Sequence, residues 1–399
     1  MTVIGMFGIA GVYNFGCEAI VRGAVRFIND LYPEATIYYY SKNYEYDKRM
    51  LADLNLCVRP LNSTNTLTKR IANKVNHKLN INKIIVNYDY DQLIEESNVL
   101  FSIGGDILTI PVIEREKRKY FYANEIIEIG KRAIANGKKV ILYGASVGPF
   151  GEYKQAVDYY KNALEQYEMV ICREQLSIDY INSLGVYNTI FSPDPAFLVG
   201  EISDSTIGEC IGVNISPLSL RELYGKVSQQ NIKKLAGLLE DLYNHLNARI
   251  IMFPHVISRS HSDNDYDFQL RVLEEVAESI KPYISIADFN EGFLGIKKQL
   301  KQCRILISAR MHCAINAIHE CIPTIFLAYS SKSIGMARYI YGNDKYILDL
   351  RESDRRLLDT ASDLWSNAEI VSSYLYSQNS KIIGDYEDSL ISIKGNNCV

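Results

Sequence analysis

Short apolar runs alternate along this chain with longer stretches whose apolar residues recur every three or four positions. The short runs fit strands buried on both faces, and the longer stretches fit amphipathic helices. In the first half the pattern predicts strands over 3–8, 35–40, 99–103, 139–143 and 169–172. It predicts helices over 17–31, 113–135, 153–166 and 174–184, the last stopped by Gly185. The segment 61–82 is polar and rich in Asn, Thr and Lys, and reads as a mobile excursion or a loosely packed helix. Two prolines with several Gly and Ser mark 192–210 as a boundary. Beyond it the pattern restarts, with strands over 211–215, 249–253 and 283–286 and helices over 228–246, 266–280 and 294–302. Between apolar runs at 304–308 and 323–328, Cys313, Ala314, Ala317, Ile318 and Cys321 repeat at helical spacing, completing a βαβ unit. A strand-like run at 346–348 and a helical stretch over 355–377 close the chain.

Such alternation predicts an α/β protein with mainly parallel sheets. Two Rossmann-like domains facing a cleft, as in the GT-B architecture, follow from the element order. Residues 1–198 would form the first domain, expected to take an acceptor, and 199–346 the second, expected to take a donor. Residues 347–399 would form a helical tail packing across both. No solenoid period is present. The length agrees, since 399 residues exceed one ordinary core.

Composition then removes several classes. A net charge of −4 argues against a nucleic-acid binder that relies on a basic surface. No run has bilayer-spanning length, and the apolar start MTVIGMFGIAGVYNFG lacks a basic leader, so it reads as a first strand. Eight cysteines, from Cys17 to Cys398, show no CxxC pairing; several sit in predicted elements as small buried hydrophobes. A reduced, cytoplasmic setting is the expectation. The 29 tyrosines are read first as packing residues, with sugar stacking as the alternative.

The candidate chemistry lies at predicted strand ends. Arg310-Met311-His312 falls at the carboxyl end of one strand and the amino end of a helix, where unpaired N–H groups favour an anion. Arginine offers a planar fork for carboxylate or phosphate, and histidine moves protons near neutrality. The glycine-rich turn 8–16, with Asn14 and Gly16, is either a ligand loop or a bare turn; Glu18 follows in the first helical turn. Gly104-Gly105-Asp106 and the 144–149 segment with Ser146 occupy matching strand ends. Asp106 would serve as base or hydroxyl acceptor, or cap a turn. Arg173 is a second anion clamp or the ion-pair partner of Glu174. Asp194 is as readily structural as functional. Asp263, Asp265 and Asp267 are read as capping residues before metal ligands. His319 stands about 10 Å along the helix from His312, so the two share no metal and none is expected.

These stretches, from Asn14-Phe15-Gly16-Cys17-Glu18 through Gly104-Gly105-Asp106, the 144–149 segment, Arg173-Glu174 with Ser177 and Asp194-Pro195-Ala196 to Arg310-Met311-His312 and 328–335, together resemble the polysaccharide pyruvyl transferase family. The resemblance implies a GT-B-like enzyme that moves pyruvate from phosphoenolpyruvate onto two sugar hydroxyls as a cyclic ketal. It implies that Arg173, Arg310 and His312 bind the donor, with Met311 contributing its backbone. Family members often carry Asp where this chain has Cys17; if that carboxylate has a catalytic task, either Glu18 or Asp106 supplies it here, or the acceptor differs.

The expected reaction assigns His312 as general acid and Asp106 as base, with Asn14, Gly16, Glu18, Gly105 and Ser146 lining the substrates and no cofactor. Expected partners are phosphoenolpyruvate and a sugar or lipid-linked oligosaccharide, with peripheral membrane contact through that acceptor. The alternatives are a GT-B glycosyltransferase using a nucleotide sugar, for which Asp288 is the one acidic candidate near a ribose, and a binding or scaffold protein without turnover. Ser330, Ser331, Lys332 and Ser333 would add anion contacts after the 323–328 strand.

Overall fold

The computed structural model describes residues 2–202, 207–258, 263–328, 331–349 and 353–395. Ser330 and Cys398 lie outside the described residues, as do the side chains of Ser331 and Lys332. The chain forms two compact units. The first comprises Met1–Val12, Ile20–Leu198 and Gly384–Val399, and the second Tyr13–Ala19 and Val199–Ile383.

The first unit is built on seven parallel strands: β1 Val3–Gly8, β2 Thr36–Ser41, β3 Cys57–Pro60, β4 Val99–Ile103, β5 Lys139–Ala145, β6 Met169–Cys172 and β7 Thr189–Phe191. They lie in the order β3-β2-β1-β4-β5-β6-β7. The second unit holds β8 Cys210–Asn214, β9 Ile250–Met252, β10 Ile284–Ile286, β11 Cys303–Ser308, β12 Thr324–Ala328 and β13 Ile347–Asp349. Their order is β10-β9-β8-β11-β12-β13, again parallel throughout. In both sheets the chain starts in the middle, works to one edge, then returns to the middle and works to the other. The switch points are β1/β4 and β8/β11, where open α/β sheets bind ligands.

The interior strands β4 and β6 are buried at every position, as a sheet covered by helices on both faces requires. In the first unit's core Phe27 stacks on Tyr143 at 4.0 Å. Tyr386, near the start of the chain's last segment in this unit, donates its hydroxyl to Asp30 at 2.5 Å.

The pattern over 113–135 does not give one helix. Val112–Arg115 is a single turn, and Glu125–Ala135 begins afresh because the Asn124 side chain accepts from the N–H groups of Ile126 and Ile127. Strands β3 and β7 escape the pattern because they are short, half-exposed edges. The segment 61–82 holds the helix Leu67–Lys78, capped by Thr66, with no buried residue. After β13 come the helices Ser353–Ser366 and Ala368–Gly395, the second reaching well past the expected end at 377.

Candidate functional site

In the second unit, the switch strands β8 and β11 end side by side, with Asn214 opposite Ser308. Asn214 donates through Nδ2 to the Phe253 carbonyl at 2.8 Å. Its Oδ1 accepts the Arg310 N–H at 2.9 Å and the Ser308 hydroxyl at 3.3 Å. One amide thus fixes three strand ends, and Arg310 leaves β11 in an extended conformation as the N-cap of the helix Met311–His319. The first N–H groups of that helix have no helical acceptors and carry its positive end.

The Arg310 guanidinium is nearly buried and grips Asp265 with both prongs, Nε to Oδ2 at 2.8 Å and Nη2 to Oδ1 at 2.7 Å. Asp263 adds a contact at 3.3 Å. Asp265 is fully buried and also accepts the N–H groups of His255 and Val256 at 3.0 and 3.1 Å. Two of the three aspartates at this helix start therefore serve an arginine. Among the described residues no cluster of His, Cys, Asp and Glu is placed to hold a metal ion.

Residues 13–19 join this site. Asn14 pairs with Val256 in an antiparallel bridge, Phe15 N–H donates to the His255 carbonyl at 3.0 Å, and Ile257 N–H to that of Tyr13 at 2.9 Å. Asn14 Oδ1 accepts the Gly16 N–H at 2.9 Å, which caps the helix Phe15–Leu31. The His312 ring lies against Gly16: a Cβ there would stand 2.7 Å from Nδ1 and 2.8 Å from Cγ. Only glycine lets the imidazole sit so close. Glu18 is fully buried, with Oε2 accepting the Phe293 N–H at 2.9 Å where the helix Gly292–Leu300 begins.

A second imidazole completes the cluster. The His255 ring packs edge-on to Phe15 and Phe293, with centroids 5.7 and 6.3 Å away, and among the described residues its buried Nε2 has no hydrogen-bond partner. Burial first, and then the positive fields of His312 and Arg310, hold its pKa well below the usual histidine value. It is neutral near pH 7.

In the first unit, Arg173 leaves β6 fully enclosed. Its Nη1 donates to Asp194 at 2.7 Å, Nη2 to Asp106 at 2.8 Å and Nε to the Ser146 hydroxyl at 3.0 Å. Burial works against its charge, but Asp194 and Asp106 outweigh that and raise its pKa. A Cβ on Gly105 would come within 3.0 Å of Nη1, and the Gly105 carbonyl accepts the Ser146 N–H at 2.9 Å. Glu174 takes the Ser177 hydroxyl instead, at 2.9 Å, and Ser177 Oγ accepts the Val147 N–H at 2.9 Å. Of these carboxylates Asp106 has its side chain 55% exposed, while Glu174 is partly buried and Asp194 fully buried.

The predicted residues thus fall in two groups. Asn14, Gly16, Glu18, Arg310, Met311 and His312 share the second unit, and Gly105, Asp106, Ser146 and Arg173 share the first. Asn214 and the pivotal role of Asp265 escaped the sequence. A polar residue closing an apolar strand was the available signal for the former.

His319 is buried with Nδ1 2.8 Å from Lys297 Nζ, which also donates to the Val199 carbonyl and pairs with Glu320. Burial lowers this lysine's pKa to about 8. The cluster serves the packing of the second unit.

The architecture is an α/β fold with two Rossmann-like domains, GT-B-like. Similar solved structures include a UDP-GlcNAc 2-epimerase from Neisseria meningitidis bound to UDP-GlcNAc, 10% identical over 100% of both chains with a TM-score of 0.60. Another is Anabaena Alr3699/HepE in complex with UDP and glucose, 9% identical over 99% of each chain with a TM-score of 0.59. A glycosyltransferase from Rickettsia africae is 11% identical over 100% of this chain and 97% of its own, with a TM-score of 0.53. At such identity the likeness concerns the fold. No curated protein matches the sequence. The polysaccharide pyruvyl transferase profile matches residues 14–331, and the chain belongs to that family.

Proposed function

We propose that this transferase moves pyruvate from phosphoenolpyruvate onto two hydroxyls of one sugar in a surface polysaccharide or its precursor, closing a cyclic ketal. What supports this most directly is the placing of Arg310 and His312 at a switch point, on the amino end of a helix. That position suits a donor carrying both carboxylate and phosphate.

The second unit handles the donor. Arg310, aimed by Asp265, and the Met311 N–H hold the anionic groups, and His312 delivers a proton to the methylene carbon. The cation that develops at carbon two takes a first sugar hydroxyl. Phosphate then leaves, and the second hydroxyl closes the ring. One proton is gained by carbon, one leaves with phosphate, and the two hydroxyls supply both.

The first unit handles the acceptor, with Asp106 receiving a hydroxyl proton. Glu18 is fully buried on the Phe293 backbone, whereas the Asp106 side chain is 55% exposed and can meet an acceptor, which assigns the task to Asp106. Arg173 has its three guanidinium nitrogens on Asp194, Asp106 and Ser146, and its part is to position Asp106. Gly105 and Ser146 shape the same loop.

A nucleotide-sugar donor has weaker support. Asp288, the candidate for a ribose, spends Oδ1 on the Asn290 N–H of its own turn at 2.9 Å. A thermal shift separates the two donors. Phosphoenolpyruvate should raise the melting temperature, and UDP-sugars should not. A shift with UDP-sugars alone would overturn the proposal.

A further inference from the structure

The helix Leu67–Lys78 carries an apolar stripe that no described residue of its own unit buries. Leu67, Ile71, Val75 and the C-cap Leu79 follow one another at intervals of four and are 71, 53, 44 and 59% exposed. At 100° per residue they span an arc of about 120°. Ile81 and Ile85, on the return segment, are also exposed.

The opposite side of the helix is anchored. Asn73 exchanges hydrogen bonds with the Ile85 backbone, donating to its carbonyl and accepting from its N–H, each at 2.9 Å. Asn76 donates to the Lys83 carbonyl at 3.0 Å. The His77 ring stands 5.1 Å from Phe121, and Tyr122 N–H donates to Asn82 at 2.7 Å. Helix and return segment therefore form one platform with its apolar side outward.

Charge says what covers it. From Leu54 to Tyr88 there is no Asp or Glu, against Arg59, Lys69, Arg70, Lys74, Lys78 and Lys83, in a chain whose net charge is −4. Arg70, Lys74 and Lys78 run along one flank of the apolar stripe at the same spacing of four. A narrow apolar arc beside a row of cations is the pattern of a helix lying in a lipid headgroup layer. No helix among the described residues is long and apolar enough to cross a membrane, so contact at the surface is the form available.

We propose that this platform docks on an anionic phospholipid bilayer, with the helix parallel to the surface and its four apolar side chains among the acyl ends. The proposal deepens the acceptor half of the proposed function, because a lipid-linked sugar would be met there. The vesicle assay uses neither donor nor acceptor, so its failure leaves ketal formation untouched.

The full chain is sedimented with vesicles of phosphatidylglycerol and phosphatidylcholine, or of phosphatidylcholine alone. Binding is expected to the anionic vesicles, to be more than tenfold weaker on the neutral ones, and to fall with salt. Each cation removed should cost about fivefold. Lys74→Glu with Lys78→Glu, and separately Ile71→Glu with Val75→Glu, should each abolish it while leaving the circular-dichroism melt in place, since all four side chains are exposed. Wild-type protein remaining in the supernatant with anionic vesicles, or either variant binding like wild type, would overturn the proposal. So would self-association without vesicles that Ile71→Glu with Val75→Glu abolishes, which would give the stripe to a second copy.

Discussion

Both units place a buried arginine just past a strand end, and the two guanidiniums are anchored in different ways. Arg310 follows β11, itself a switch strand, and rests both prongs on one carboxylate, Asp265. Arg173 follows β6, two strands from its switch point, and divides its nitrogens among Ser146 after β5, Asp106 after β4 and Asp194 after β7. The first is an arginine aimed by a carboxylate. The second is a brace holding three loops together. The aspartates differ as well: Asp265 is a sealed hub, and Asp106 is held by Arg173 with its side chain 55% exposed.

His312 sharpens the contrast, because no histidine stands at the first unit's switch point, where Gly104-Gly105-Asp106 ends β4. His312→Ala should therefore have the largest effect. Phosphate release from phosphoenolpyruvate with acceptor should fall by about 100-fold or more, the scale of a lost general acid, with the melting temperature held. Full turnover would take His312 out of the reaction.

Next comes Asp265→Asn, which leaves the Arg310 charge buried and poorly paired. About 3–5 kcal/mol of stability should go in denaturant titrations, and the donor KM should rise in the surviving protein. An unchanged KM would mean that Asp265 only supports the fold.

Arg173→Lys replaces a fork by a point charge, which can satisfy one of the three loops well. Stability should fall by about 1–3 kcal/mol, with acceptor kinetics affected more than the donor KM. The reverse split would make Arg173 a donor clamp and erase the distinction between the two arginines.

The smallest effect belongs to His255. Its pKa is depressed in the folded protein, so the unfolded chain binds a proton that the native chain refuses once the pH drops below about 6.5. Stability from this group is present above that pH and lost as the pH falls. His255→Phe should flatten the acid limb of stability against pH by up to about 1.4 kcal/mol per pH unit. Parallel curves for the two proteins would show that the imidazole charges freely in the native state.

Much of this was legible in the sequence because parallel strands buried on both faces are continuous apolar runs. Val99–Ile103 and Met169–Cys172 read from such runs with the bounds they have in the fold. The edges β3 and β7 lack that burial and left no pattern. Strand ends also pointed to Arg310, His312, Arg173 and Asp106 as chemistry-bearing positions. Sequence order could not say who pairs with whom. Asp265 lies 45 residues before Arg310, and Asp106 lies 67 before Arg173, distances that only the folded sheets close. The stripe of Leu67, Ile71, Val75 and Leu79 was hidden differently, by the Asn, Thr and Lys around it that made the segment look merely polar.

The most direct test is the product itself. Incubated with phosphoenolpyruvate and a panel of glycans, the protein should release phosphate and add to one glycan the mass of pyruvate less one water, the signature of a ketal. Addition of a sugar from a nucleotide donor, with phosphoenolpyruvate left intact, would contradict the account.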